Sequence, residues 1–127
     1  IFYRYMKRIL IIEDNEILLF TMQYILEKEG YQLNIAKTGK EAISLLAQYE
    51  YSLILTDIML PYSNGYEIIG AVRQGGLNCA TPIIIVSALQ NYDSIVEGFD
   101  VGADDYLKKP FSPPELLARV KSRIHKG

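Results

Sequence analysis

Lys7-Arg8-Ile9-Leu10-Ile11-Ile12-Glu13-Asp14 runs through four consecutive aliphatic residues and then stops on two carboxylates. A short, unbroken apolar run of this kind is the pattern of a strand buried on both faces, as in a parallel sheet. Three more segments repeat it. Tyr51-Ser52-Leu53-Ile54-Leu55-Thr56 ends on Asp57, Pro82-Ile83-Ile84-Ile85-Val86 ends on Ser87, and Asp104-Asp105-Tyr106-Leu107-Lys108 ends on Lys109-Pro110. Ligands of open parallel sheets bind beyond the carboxyl ends of the strands. The polar groups that stop these runs therefore converge, and carboxylates, a hydroxyl and an ammonium together suit a hard metal ion and a phosphoryl group.

Helical patterns fill the gaps. Asn15 to Glu29 carries Leu18, Met22, Ile25 and Leu26 at helical spacing and Gly30 follows as a stop. Leu33-Asn34-Ile35-Ala36 reads as a short second strand. Thr38 with Glu41 predicts a capping box, followed on one face by Ala42, Leu45 and Leu46. Pro61 and Asn64-Gly65 mark a loop, and a helix from about Gly65 to Gln74 presents Ile68, Ile69 and Val72 before Gly75-Gly76. A weaker helix covers Tyr92 to Val101 and ends at Gly102. Ser112 and Glu115 predict a second capping box, with Pro114 early in the turn and Leu117, Val120 and Ile124 as the buried stripe. Five strands alternating with five helices imply right-handed crossovers and a doubly wound α/β sandwich.

With 127 residues, half of them apolar, the chain has the size and core of one domain. A formal net charge of −2 argues against nucleic acid as a direct partner. The single cysteine, Cys79, forbids an internal disulfide and suits a reducing, cytoplasmic compartment. No apolar run reaches the length of a membrane span, so no membrane is expected as a partner. Residues 1–5 precede Met6 and read as an N-terminal extension or cloning remnant, with the domain proper at 6–127. His125, the only histidine, sits on a polar terminal turn and reads as a solvated end residue rather than a phosphodonor.

Four motifs stand in order at the expected strand ends. They are Ile12-Glu13-Asp14-Asn15, Leu55-Thr56-Asp57-Ile58-Met59-Leu60-Pro61, Val86-Ser87-Ala88 and the segment from Gly102-Ala103-Asp104 through Lys108-Lys109-Pro110-Phe111. From Lys7 to Lys126 the chain resembles the receiver domain of two-component response regulators. The resemblance implies a flavodoxin-like sheet of order 2-1-3-4-5 and a phospho-acceptor fed by a sensor histidine kinase. It implies that Asp57 is the acceptor, and that Glu13, Asp14, Asp57 and the backbone carbonyl of Met59 hold Mg²⁺ (or Mn²⁺). Lys109 is implied to pair with a phosphoryl oxygen and to precede a cis proline bond. Strand alternation sends Lys108 to the other face. Ser87 and Tyr106 resemble the hydroxyl and aromatic switches. Met59 and Leu89 resemble the two residues flanking the hydrolytic water, and neither can orient one, so slow self-dephosphorylation is expected. Such a domain modifies only itself and is not expected to be an enzyme in the ordinary sense.

Two readings of the output stay open. The run Pro114-Glu115-Leu116-Leu117-Ala118-Arg119-Val120 resembles receivers with winged-helix effectors, which dimerise through the fourth helix, fifth strand and fifth helix. Asp104 or Asp105 against a partner's Arg119, with Glu97 as a further acid, would then supply intersubunit ion pairs. The start Glu13-Asp14-Asn15-Glu16-Ile17 instead resembles receivers of hybrid histidine kinases. A haloacid-dehalogenase-like phosphatase would place a second acid two residues after the nucleophile, where this chain has Met59. A flavodoxin would need a Ser/Thr/Gly-rich loop after the first strand, and a pseudo-receiver would have lost acids or the lysine. Tyr62 borders the acceptor loop, and Cys79 has no assigned role.

Overall fold

The computed structural model describes residues 7–124, so residues 1–5, read above as an extension or cloning remnant, Met6 and His125 lie outside the described residues. In chain order the elements are β1 (Arg8–Ile12), α1 (Glu16–Lys28), β2 (Gln32–Ala36), α2 (Gly39–Gln48), β3 (Leu53–Thr56), α3 (Gly65–Arg73), β4 (Ile83–Ser87), α4 (Tyr92–Val101), β5 (Asp105–Lys108) and α5 (Pro113–Ile124). The five strands form one sheet in the order β2-β1-β3-β4-β5, every neighbouring pair parallel. Between β3 and α3, Met59–Leu60 pairs antiparallel with Ser63–Asn64 in a ribbon that the sequence pattern does not announce.

The sheet separates two apolar layers because successive side chains of a strand point to opposite faces. Leu10, Ile12, Ile54, Ile83, Ile85 and Tyr106 face α2 and α3. Ile9, Ile11, Leu53, Leu55, Ile84, Val86 and Leu107 face α1 and α5. Both layers are covered, which is why the strands are apolar throughout. The α3 stripe of Ile68, Ile69 and Val72 is buried as expected, and in α1 and α5 one leucine of each stripe is exchanged for its neighbour. α1 buries Leu19, Met22 and Leu26, and α5 buries Leu116, Val120 and Ile124, with Leu117 half-buried. α4 buries only Gly98.

The caps follow side-chain oxygens, not all in the expected pattern. Thr38 Oγ1 accepts from Glu41 N, but Glu41 Oε1 reaches past Thr38 to accept from Lys37 N. Ser112 Oγ accepts from Glu115 N at 3.3 Å, while the Glu115 carboxylate leans toward Arg119. The full reciprocal capping box belongs to Asn64 and Glu67 at the start of α3, where the sequence reads simply as a turn. Asn15 and Asn91 cap α1 and α4. Buried Asn78 donates to Leu46 O and Tyr49 O and accepts from Tyr51 N, tying the end of α2 to the entry of β3.

Candidate phospho-acceptor site

In-register pairing sets the site. Ile12 lies opposite Thr56, and Asp57 N donates to Ile12 O at 3.0 Å, so β1 and β3 end side by side. The acids following them meet there. One carboxylate oxygen from each of Glu13, Asp14 and Asp57 lies within 4.8 Å of the others. Glu13 is 2% exposed and Asp57 8%, whereas Asp14 faces solvent.

Each buried carboxylate is held by a backbone donor. Asp57 Oδ1 accepts from Ile58 N at 2.7 Å, and Glu13 Oε2 accepts from Asn15 N at 3.0 Å. Lys109 joins them by donating from Nζ to Glu13 Oε1 at 2.8 Å and to Asp57 Oδ2 at 3.0 Å. Lys108 is exposed on the opposite side of the strand, as alternation requires. Burial alone would lower the Lys109 pKa. The hydrogen bond from Glu13 and the charge and hydrogen bond of Asp57 outweigh it, and the net direction is upward, so Lys109 stays an ammonium. Three formal carboxylates against one ammonium leave a local charge of −2, with the open side at Asp14.

The Lys109–Pro110 bond is cis. Lys109 is further fixed through its backbone. Its N–H donates to Ser87 O at 2.9 Å and its carbonyl accepts from Gln90 Nε2 at 3.1 Å. Ser87 is buried, and its hydroxyl accepts from Leu89 N at 3.1 Å. The ring of Tyr106 is also buried, with its hydroxyl donating to Leu89 O at 2.7 Å. Burial pushes that phenol above its ordinary pKa. Met59, two residues after Asp57, is 66% exposed, and Leu89 is half-buried.

Gly65 is a site residue that sequence reading placed only as a turn marker. A Cβ there would lie 2.2 Å from the Asp57 carbonyl oxygen and 2.9 Å from Ile58 Cα. Its N–H donates to Ile58 O at 2.7 Å, so α3 begins directly against the backbone of Asp57 and Ile58. Gln90 was likewise not singled out. Tyr62 projects fully into solvent with φ +66°.

Three of the residues expected at an interface, Asp104, Asp105 and Arg119, are engaged within the chain. Asp104 Oδ2 accepts from Arg73 Nη2 at 3.0 Å and from Ile83 N at 2.8 Å. Asp105 Oδ1 accepts from Arg119 Nη1 at 2.8 Å and from Tyr106 N. Glu97 is exposed on α4. Intersubunit pairing of Arg119 would therefore exchange an existing partner.

Residues 9–121 match the family described as the response regulator receiver domain. The transcriptional regulatory protein PcoR of Escherichia coli is 38% identical over 122 residues, which are 96% of this chain and 53% of that protein. Response regulator ArlR of Staphylococcus saprophyticus is 42% identical over 95% of this chain and 54% of its own length. The chain thus spans about half the length of the curated relatives it matches. Among solved structures, a CheY-like receiver domain protein from Methanospirillum hungatei superimposes with a TM-score of 0.89 at 32% identity, covering 95% of each chain. The receiver domain of a Pseudomonas aeruginosa sensor histidine kinase, described with a magnesium ion coordinated in its active-site cleft, gives 0.87 at 28% identity over 94% of this chain and 98% of its own. The parallel sheet, its strand order and these matches agree, and the chain belongs to the response regulator receiver domain family.

Proposed function

We propose that the chain takes a phosphoryl group onto Asp57 from a phosphohistidine of a sensor kinase and passes the change to an output through its α4–β5–α5 face. One observation carries this reading: Lys109 bridges Asp57 and Glu13 in a carboxylate cluster that stays open at Asp14. An Asp57 oxygen attacks phosphorus, the P–N bond to the kinase imidazole breaks, and its electron pair returns to that nitrogen, which is then protonated. The Ile58 N–H orients the nucleophile and Lys109 is placed to follow a phosphoryl oxygen. Ser87, whose hydroxyl oxygen accepts from Leu89 N, would then turn its O–H to donate to a phosphoryl oxygen, with Tyr106 confined beneath as the segment shifts.

The donor set fits Mg²⁺ or Mn²⁺: hard oxygens, a local charge of −2 and one carboxylate facing water. Glu13, Asp14, Asp57 and the Met59 carbonyl would hold the ion. Bound there, it would neutralise charge between an anionic nucleophile and an anionic phosphate.

For the output, the 38–42% identical relatives named as a transcriptional regulatory protein and a response regulator favour a DNA-binding regulator, dimerising through α4–β5–α5 with Glu97, Asp104, Asp105 and Arg119 at the contact. The hybrid-kinase reading draws on solved receivers of histidine kinases at 28% identity. Among the described residues no helix is long and apolar enough to cross a membrane, and a cytoplasmic setting accords with a kinase partner. The test is intact mass after acetyl phosphate and Mg²⁺, for wild type and Asp57→Asn, with a size-exclusion trace of each. A Mg²⁺-dependent adduct confined to wild type supports the reading; its absence from wild type defeats it.

A further inference from the structure

α4 is anchored unlike the other helices. Its one fully buried residue is a glycine, and its apolar packing comes from the partly buried Ile95 and Val101 against the core. A Cβ on Gly98 would lie 2.6 Å from Ile85 Cδ1 and 3.6 Å from the Tyr106 ring, so the helix rests directly on the strand residue and on that aromatic.

Polar contacts to its main chain add to this partial burial, and they come from α3. Tyr66 Oη donates to Ser94 O at 2.9 Å, in the first turn of α4. Arg73 Nε donates to Gly102 O at 2.9 Å, at its C-cap. Tyr66 and Arg73 stand seven residues apart, two turns on one face of α3, and Ser94 and Gly102 stand eight apart on α4. Arg73 is held in turn by Thr81 O at 2.7 Å, Cys79 O at 3.1 Å and Asp104 Oδ2 at 3.0 Å. Gly102 has φ +121°, and a Cβ there would meet Arg73 Cγ at 2.7 Å, so the guanidinium arm and the cap fit only with glycine.

We propose that Tyr66 and Arg73 are positioning residues that pin the two ends of α4 to α3, and that Tyr66 shares with Tyr106 the holding of the segment from Leu89 to Ser94. Tyr106 grips its start at Leu89 O and Tyr66 grips its end at Ser94 O. Two hydroxyls from different elements thus fix the connection between Ser87 and α4. The pins are properties of the fold; their bearing on signalling rests on the receiver reading above.

The test is amide hydrogen exchange on the whole chain. Tyr66→Phe keeps the ring and loses the hydroxyl. Exchange at residues 89–98 should rise about 3- to 10-fold, with β1 and α5 unchanged. Arg73→Lys should accelerate residues 100–104 while sparing 89–94. The Tyr66→Phe/Tyr106→Phe double variant should accelerate residues 89–94 by less than the product of the single effects, since both hydroxyls hold one segment. Unchanged exchange in Tyr66→Phe, a uniform rise across the domain, or a double variant equal to the product would each overturn the proposal. Beryllofluoride with Mg²⁺, added in a separate arm, separates the two readings. No effect on wild type sinks the receiver reading, while the pins are judged on the ligand-free exchange alone.

Discussion

Gly65 backs onto Asp57: its Cα approaches so closely that an added methyl would sit 2.2 Å from the aspartate's own carbonyl oxygen. The neighbours are main chain, which cannot rotate away. Gly65→Ala should push the β3–α3 connection outward and displace the Asp57 carboxylate. A misplacement of about 1 Å is enough to slow the uptake of phosphate by about 10²-fold. Overpacking should also cost about 1–3 kcal/mol. Adduct formation from acetyl phosphate and thermal unfolding report the two effects.

Lys109→Met should remove the ammonium between Glu13 and Asp57 while keeping the length of the arm. Glu13 is then a buried carboxylate with one backbone donor and no cation. Because Lys109 retains 20% side-chain exposure, the stability loss should be modest, about 1–2 kcal/mol, well below that of a fully enclosed pair. Phosphoryl uptake should fall far more than stability. Equal uptake by the variant and wild type would refute the role of Lys109.

Asp14 is the exposed member of the acidic cluster, so Asp14→Asn should fold as stably as wild type in chelator. Wild type should gain about 2.7 kcal/mol at Mg²⁺ one hundredfold above its dissociation constant, and the variant should lose most of that gain. Calorimetry with and without Mg²⁺ reads both.

Met59, two residues after Asp57, is exposed, Leu89, two after Ser87, is half-buried, and neither apolar side chain can orient a water. The adduct of the wild-type chain should therefore decay slowly. Met59→Asn and Leu89→Glu should shorten its lifetime, followed as loss of adduct mass over time.

Tyr51 supplies a pH dependence. Its hydroxyl is buried without a hydrogen-bond partner among the described residues, and burial pushes its pKa from 10.0 up to about 12. The folded chain then keeps a proton that the unfolded chain releases. The stabilising contribution is complete below about pH 10 and is lost as pH rises toward 12, at up to about 1.4 kcal/mol per pH unit. Tyr51→Phe should be at least as stable at pH 7 and should lose stability less steeply above pH 10. Tyr31 and Tyr106, whose pKa values are also raised, leave some slope behind.

The strands, their parallel arrangement and the convergence of Glu13, Asp14, Asp57, Ser87 and Lys109 were legible because each ends an apolar run. Periodicity alone supplies that reading. The buried face was legible in full for α3, while in α1 and α5 Leu19 and Leu116 are buried in place of Leu18 and Leu117, because two adjacent leucines read alike in the apolar pattern although they lie about 100° apart around the helix. Gly65, Gln90, Asn78 and the Tyr66–Ser94 bond were not legible. Each acts on the main chain of a residue distant in sequence, and a backbone carbonyl leaves no mark on residue type. The pairing of Arg119 with Asp105 inside the chain was hidden for a related reason: charge pattern names the partners but not the chain they belong to.

β5 is an outermost strand of the sheet, and Asp105 closes part of it. The same carboxylate that receives Arg119 also caps the Tyr106 N–H, consuming a donor that an incoming strand would need. With Lys108 exposed at the other end of a four-residue strand, this margin is a poor template for sheet extension. The free edge of β5 is thereby disfavoured as a place where strands of separate chains could stack into an open-ended ribbon.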